Sequence, residues 1–92
     1  MYRVDFSEDA DRQLQKMRAY DRASVVAQIR EVLTVNPTLE SKGRVKKLRQ
    51  PAPTQYRLRV RDYRIFYDVE DKTVHIRAIL SKSDTADYYG DA

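Results

Sequence analysis

Tyr2, Val4 and Phe6 alternate with Arg3 and Asp5, the two-residue period of a short strand with one apolar face. Ser7 interrupts that alternation and suits a helix N-cap, because its hydroxyl can accept an unpaired backbone N–H. Glu8 and Asp9 then fit a first turn, where the helix dipole favours negative charge. Ala10, Leu14 and Met17 recur at helical spacing and predict a first helix to roughly Arg18. Asp21 can cap a second helix with the apolar stripe Val25, Val26, Ile29, Val32 and Leu33, ended by Asn36-Pro37. Two helices with so short a connection pack as an antiparallel hairpin.

The period changes in the second half. Val45 to Leu48 reads as a short basic strand, and Pro51 and Pro53 mark a loop, since neither donates to a sheet ladder. Tyr56, Leu58 and Val60 alternate with Arg57 and Arg59, and Tyr63, Ile65, Tyr67 and Val69 alternate with Arg64, Phe66 and Asp68. With Arg61-Asp62 as the loop, Arg59 faces Arg64, Leu58 faces Ile65 and Arg57 faces Phe66. A second turn over residues 70 to 73 sets Asp68 against His75, Phe66 against Arg77 and Arg64 against Ile79. One face then gathers Leu58, Val60, Tyr63, Ile65, Tyr67, Val69, Val74, Ile76, Ala78 and Leu80, enough apolar area to seat the helices. The expected fold is α+β: a two-helix N-terminal hairpin on one face of a small, mainly antiparallel twisted sheet of about four strands.

Length and composition narrow the function. A chain of 92 residues supports one core, so residues 1–92 are expected to form a single domain. No apolar run approaches membrane-spanning length and the amino end lacks a leader pattern, which predicts a cytoplasmic protein with no membrane partner. With no cysteine and one histidine, thiolate sites, cysteine nucleophiles and histidine-rich metal sites are excluded, and neither a cofactor nor a metal is expected. Net charge is only +4, but Lys42 to Arg64 holds nine of the 18 Lys and Arg residues against the single acid Asp62. Such asymmetry is the footprint of a domain that meets a polyanion on one side.

That charge lands on the face opposite the predicted core, with Arg57, Arg59, Arg64, Arg77, His75, Asp68 and Phe66. Like charges directly opposed on a sheet are destabilising, so the Arg59–Arg64 pair is unexpected in a fold optimised for stability alone. Guanidinium groups beside an aromatic ring suit phosphates and a stacked base, and RNA is the leading candidate ligand. The competing reading is a solvated free face of an antiparallel sheet.

Lys47-Leu48-Arg49 ahead of Tyr56-Arg57-Leu58-Arg59-Val60-Arg61-Asp62-Tyr63-Arg64-Ile65-Phe66-Tyr67, with the Phe6-Ser7 opening and the Asn36-Pro37 stop, resembles the RelE/ParE superfamily of type II toxin–antitoxin toxins. The resemblance covers nearly the whole chain. It implies a RelE-like, microbial-RNase-like fold, and an mRNA interferase: a ribosome-dependent, metal-independent endoribonuclease that cuts messenger RNA and so inhibits translation. The implied partners are a cognate antitoxin, the ribosome and mRNA, and operator DNA through the antitoxin complex. By position, Arg57 and Arg59 match the family's two basic strand residues, Arg64 the arginine after the hairpin, and Tyr89 the tyrosine near the carboxyl end. The implied roles are activation and phosphate stabilisation for Arg57 and Arg59, transition-state stabilisation for Arg64, and base stacking or orientation for Tyr89. Lys46, Lys47 and Arg49 are candidates for ribosomal RNA backbone contacts, and Phe66 and His75 for further RNA contacts.

The chain departs from the family pattern in three places. Arginine stays protonated in proteins, so Arg57 and Arg59 suit phosphate clamping better than proton abstraction, and the general base is unassigned. An imidazole suits proton transfer near neutrality, which makes His75, oriented by Asp68, an alternative. Ser83 stands where many members have another arginine, with Lys82 or Arg77 as the substitute, and Arg61 stands at a turn position usually held by glycine. Two other functions therefore compete: a ParE-like inhibitor of DNA gyrase, and a catalytically weakened member that only binds its antitoxin.

Overall fold

In a computed structural model, which describes residues 1–85, the chain runs β1 (Arg3–Phe6), α1 (Glu8–Gln15), α2 (Ala19–Gln28), β2 (Val45–Lys47), β3 (Tyr56–Val60), β4 (Tyr63–Glu70) and β5 (Thr73–Ser81). A π-helical turn over Ile29–Leu33 prolongs α2, and a 3-10 turn over Lys82–Asp84 follows β5. One sheet of five strands has the order β1-β5-β4-β3-β2, with β1 parallel to β5 and the other pairs antiparallel. The expectation of about four strands is short by one, because both the opening alternation and the basic segment at Val45 join as edge strands.

Ser7 caps α1 as its sequence suggests, its hydroxyl accepting the Ala10 N–H at 3.0 Å. The helix ends at Gln15 instead of near Arg18, and Arg18 rather than Asp21 holds the N-cap position of α2. Arg22 accounts for the early stop. From α2 its Nε donates to the carbonyl of Leu14 (3.1 Å) and its Nη2 to those of Gln15 (3.3 Å) and Met17 (2.9 Å), which supplies the donors that terminal helix carbonyls lack. Asp21 instead accepts the Tyr63 hydroxyl at 3.2 Å. Burial first, and then this bond, raise the Tyr63 phenol above its ordinary pKa.

Ala10, Leu14 and Met17 of the α1 segment and Val25, Ile29 and Leu33 of the α2 segment pack on Leu58, Val60, Ile65, Tyr67, Val74, Ile76 and Ile79. Each buried aliphatic side chain here contributes about 1.5–3 kcal/mol. Tyr67 is fully buried, stacks on Tyr56 with ring centroids 5.6 Å apart, and donates its hydroxyl to the Pro37 carbonyl at 2.6 Å. Burial, with a smaller contribution from Tyr56, pushes its phenol far above the ordinary tyrosine value. Pro37 is itself fully buried, so the residue that ends the helical segment also plugs the core. Tyr2 and Val4 pack against this cluster, whereas Phe6 leaves 38% of its surface exposed, against the apolar face expected of β1.

The β3–β4 register is the one that alternation and a two-residue loop predict, including Arg59 opposite Arg64. The β4–β5 register agrees only near its turn, where Asp68 faces His75. Between Tyr67 and Phe66 it slips by one: Tyr67 faces Ile76 but Phe66 faces Ala78, leaving Arg77 as the extra residue of a bulge. Arg64 therefore faces Leu80 rather than Ile79, and Ile79 takes the core place expected of Ala78 and Leu80. The Ser7 hydroxyl donates to the Arg77 carbonyl (2.8 Å) and the Gln13 Oε1 accepts the Ile79 N–H (2.6 Å), so the bulge is held from the α1 side.

Candidate functional site

The sheet face opposite the helices carries cross-strand rows. Lys46 pairs with Arg57, which pairs with Phe66, which pairs with Ala78. Beside it the Arg59 N–H donates to the Arg44 carbonyl at 2.8 Å, and Arg59 pairs with Arg64. Arg57, Arg59 and Arg64 thus share a face, as the register requires, but their surroundings differ.

Arg57 lines an open cleft of about 840 Å³ together with Lys46, Lys47, Leu48, Arg49, Gln50, Ala52 and Glu40. Its Nε is buried without a hydrogen-bond partner among the described residues, an atom that a bound anion would satisfy. The structure therefore brings Lys46, Lys47 and Arg49 to the same hollow as Arg57. Gln50 braces the cleft wall, its Nε2 donating to the carbonyls of Leu48 (3.3 Å) and Thr54 (3.2 Å) and its Oε1 accepting the Ala52 N–H (3.3 Å). Sequence reasoning missed Gln50, since only the closed loop shows what its amide ties together.

Arg59 is exposed and lines a different hollow with Arg44 and Arg61. Arg64 is only 8% exposed, and its Nη1 donates to the carbonyls of Arg61 and Tyr63, both at 3.0 Å. It braces the hairpin tip. Arg61 adopts φ 53°, a conformation that costs a residue with a side chain about 1–2 kcal/mol. Its guanidinium donates to the Tyr20 hydroxyl (2.8 Å) and lies 4.9 Å from that ring's centroid, contacts that offset the strain and tie the tip to α2.

Phe66, expected to offer a stacking ring, has no exposed surface. Asp68 does not orient His75: its Oδ1 accepts the Gln55 N–H (2.8 Å) and its Oδ2 the Arg77 Nε (3.1 Å). His75 Nε2 lies 3.7 Å from a Glu70 carboxylate oxygen instead. Asp68 still faces His75 across the ladder, but its carboxylate is taken up by Gln55 and by Arg77, the residue at the bulge. Lys82 is exposed beyond β5, its backbone N–H donating to the Asp62 carbonyl at 2.6 Å, and Ser83 lies 3.1 Å from the Ser81 hydroxyl. Tyr89 lies outside the described residues.

Residues 4–86 match the family model described as the ParE toxin of type II toxin–antitoxin system, parDE. The chain belongs to this toxin family. No curated protein sequence gives a significant match. Among solved structures, the toxin is similar to a free-state double-arginine variant of the Escherichia coli toxin RelE, with 25% identity, TM-score 0.73, and 99% and 93% of the two chains covered. A chain of the intact E. coli RelBE complex is 26% identical with TM-score 0.70, covering 88% of this chain and 96% of that one. A chain of the RelBE2 complex of Mycobacterium tuberculosis is 26% identical with TM-score 0.68, covering 87% and 96%. The RelE/ParE assignment and the α+β architecture expected from sequence both stand. Among the described residues, no helix is long and apolar enough to cross a membrane.

Proposed function

We propose that this toxin is a RelE-like messenger-RNA endoribonuclease that acts on translating ribosomes and is neutralised by a cognate antitoxin. The observation that carries the reading is the partnerless, buried Nε of Arg57 in a cleft walled by Lys46, Lys47 and Arg49, on the same sheet face as Arg59. Antitoxin binding is supported by the similar E. coli and M. tuberculosis chains, which come from toxin–antitoxin complexes.

The reaction is a transesterification. The 2′-oxygen loses its proton to solvent water and bonds to the adjacent phosphorus, the bond from phosphorus to the 5′-oxygen breaks, and that oxygen takes up a proton, leaving a 2′,3′-cyclic phosphate. Arg57 and Arg59 clamp the phosphate and stabilise the charge that builds on its oxygens, a role that permanently protonated guanidinium groups suit. Arg64 stiffens the tip that presents Arg59. Lys82, held beside that tip, is the candidate donor to the departing oxygen, and Arg77, paired with Asp68, supplies a further cation. Lys46, Lys47 and Arg49 hold ribosomal RNA backbone.

Primer extension on a message translated in a purified system tests this reading. New 5′ ends that require both ribosomes and the toxin are expected, and intact messages would sink it. The family model's ParE description favours one second reading, inhibition of DNA gyrase. Blocked supercoiling alongside intact messages would establish that reading instead.

A further inference from the structure

Past the Val45 end of β2, a second hollow of about 420 Å³ opens between α2 and the hairpin, lined by Ser24, Ala27, Gln28, Arg44, Arg59 and Arg61 among others. No carboxylate is among the described residues that line it. Arg44 and Arg59 make no ion pair among the described residues, and Arg61 spends one edge on the neutral Tyr20 hydroxyl. Three guanidinium groups left without counter-charge beside the Ser24 hydroxyl form a site rich in donors, while the Gln28 amide already donates to Glu31 at 3.4 Å. Such a site is matched by an anion with several acceptor oxygens.

We infer that this hollow is a second phosphate-binding site, which holds the backbone of the bound RNA beyond the nucleotide being cut. Arg59 belongs both to the cationic sheet face and to the hollow, so an RNA strand lying on that face meets further guanidinium groups as it passes the end of β2. A phosphodiester chain brings one charge with every nucleotide and serves both places at once. The inference deepens the nuclease reading by adding a binding register for its substrate, yet it is tested without cleavage.

The experiment uses the full-length toxin, no ribosomes, and a short fluorescent RNA whose 2′-positions are methylated so that it cannot be cut. Arg44→Gln should weaken binding by about three- to tenfold and flatten the dependence of log K on log salt by about 0.7, the loss of one phosphate contact. Ala27→Glu, which keeps a good helix former and brings a carboxylate into the hollow, should weaken binding more. Gln15→Glu on α1 adds the same charge outside the hollow and should change it less than either. Unchanged RNA affinity in both Arg44→Gln and Ala27→Glu, with unchanged melting temperatures, overturns the inference. So does binding of inorganic phosphate that Arg44→Gln abolishes while RNA affinity stays unchanged in the same variant, which would assign the hollow to the free ion. Loss of affinity for an acidic peptide alone, with RNA binding intact, would assign it to a protein partner. Failure to cut messages would remove the nuclease proposal and leave this result standing.

Discussion

On the inner face of the sheet, Leu58, Ile65, Val74 and Ile76 have no exposed surface and each is held by neighbours from strands and helices alike. On the outer face, Arg59 stands directly across from Arg64 and Lys46 across from Arg57, pairs that repel. Opposed like charges cost some tenths of a kcal/mol, whereas the inner residues contribute several times more. The same strands therefore carry two kinds of residue: those whose loss unfolds the chain, and those whose loss leaves it as stable or more so. A surface kept at a cost in stability is where binding chemistry is sought, and here it coincides with both cationic hollows.

Substitutions on the two faces should separate these properties. Ile65→Ala on the inner face should cost about 2–5 kcal/mol, read as a lower urea midpoint, because the fully buried site collapses only in part. Message cleavage per folded molecule should survive. Arg57→Ala on the outer face should do the reverse, lowering cleavage in the purified translation system by about 100-fold, or roughly 2.7 kcal/mol of transition-state stabilisation. Its urea midpoint should not fall, and a variant that cuts as well as wild type would end the division of labour between the faces.

Tyr67→Phe tests the inner face with less loss of volume. Removing the hydroxyl strands the Pro37 carbonyl and should cost about 1–3 kcal/mol. Because the Tyr67 pKa is raised on folding, the native state holds its proton more tightly. Its contribution is complete below the unfolded value of about 10 and is lost as pH rises through and above that value. Urea midpoints should fall between pH 8 and pH 10.5 in the wild type, and less so in Tyr67→Phe. The smallest expected change is Arg59→Thr, which removes the repulsion with Arg64 and should raise stability by a few tenths of a kcal/mol while weakening RNA binding. A destabilised Arg59→Thr would show that the outer face is built for stability after all.

The β3–β4 hairpin was legible because both of its determinants are local, a two-residue alternation and a two-residue loop whose closure leaves one register. The nine cations in Lys42 to Arg64 were legible for the same reason. Their division into one hollow around Arg57 and another around Arg59 was not, since it depends on Gln50 closing one loop and α2 flanking the hairpin tip. The Phe66–Arg77 pairing and the core place of Leu80 were read from a register that a bulge interrupts, whereas Asp68 does face His75 as expected and only the bonds of its carboxylate, to Gln55 and Arg77, were not legible.

Alternation, helix caps and charge are properties of neighbouring residues, and the amino-acid order alone determined the elements, their apolar sides and the cationic hairpin. The bulge that decides the surroundings of Arg77, Asp68 and Ile79 is held by Ser7 and Gln13 across 70 and 66 residues of chain. Only the folded molecule brings those groups together, because the backbone groups around a bulge take partners from whichever element packs beside the strand, and here that is the α1 segment, remote in sequence.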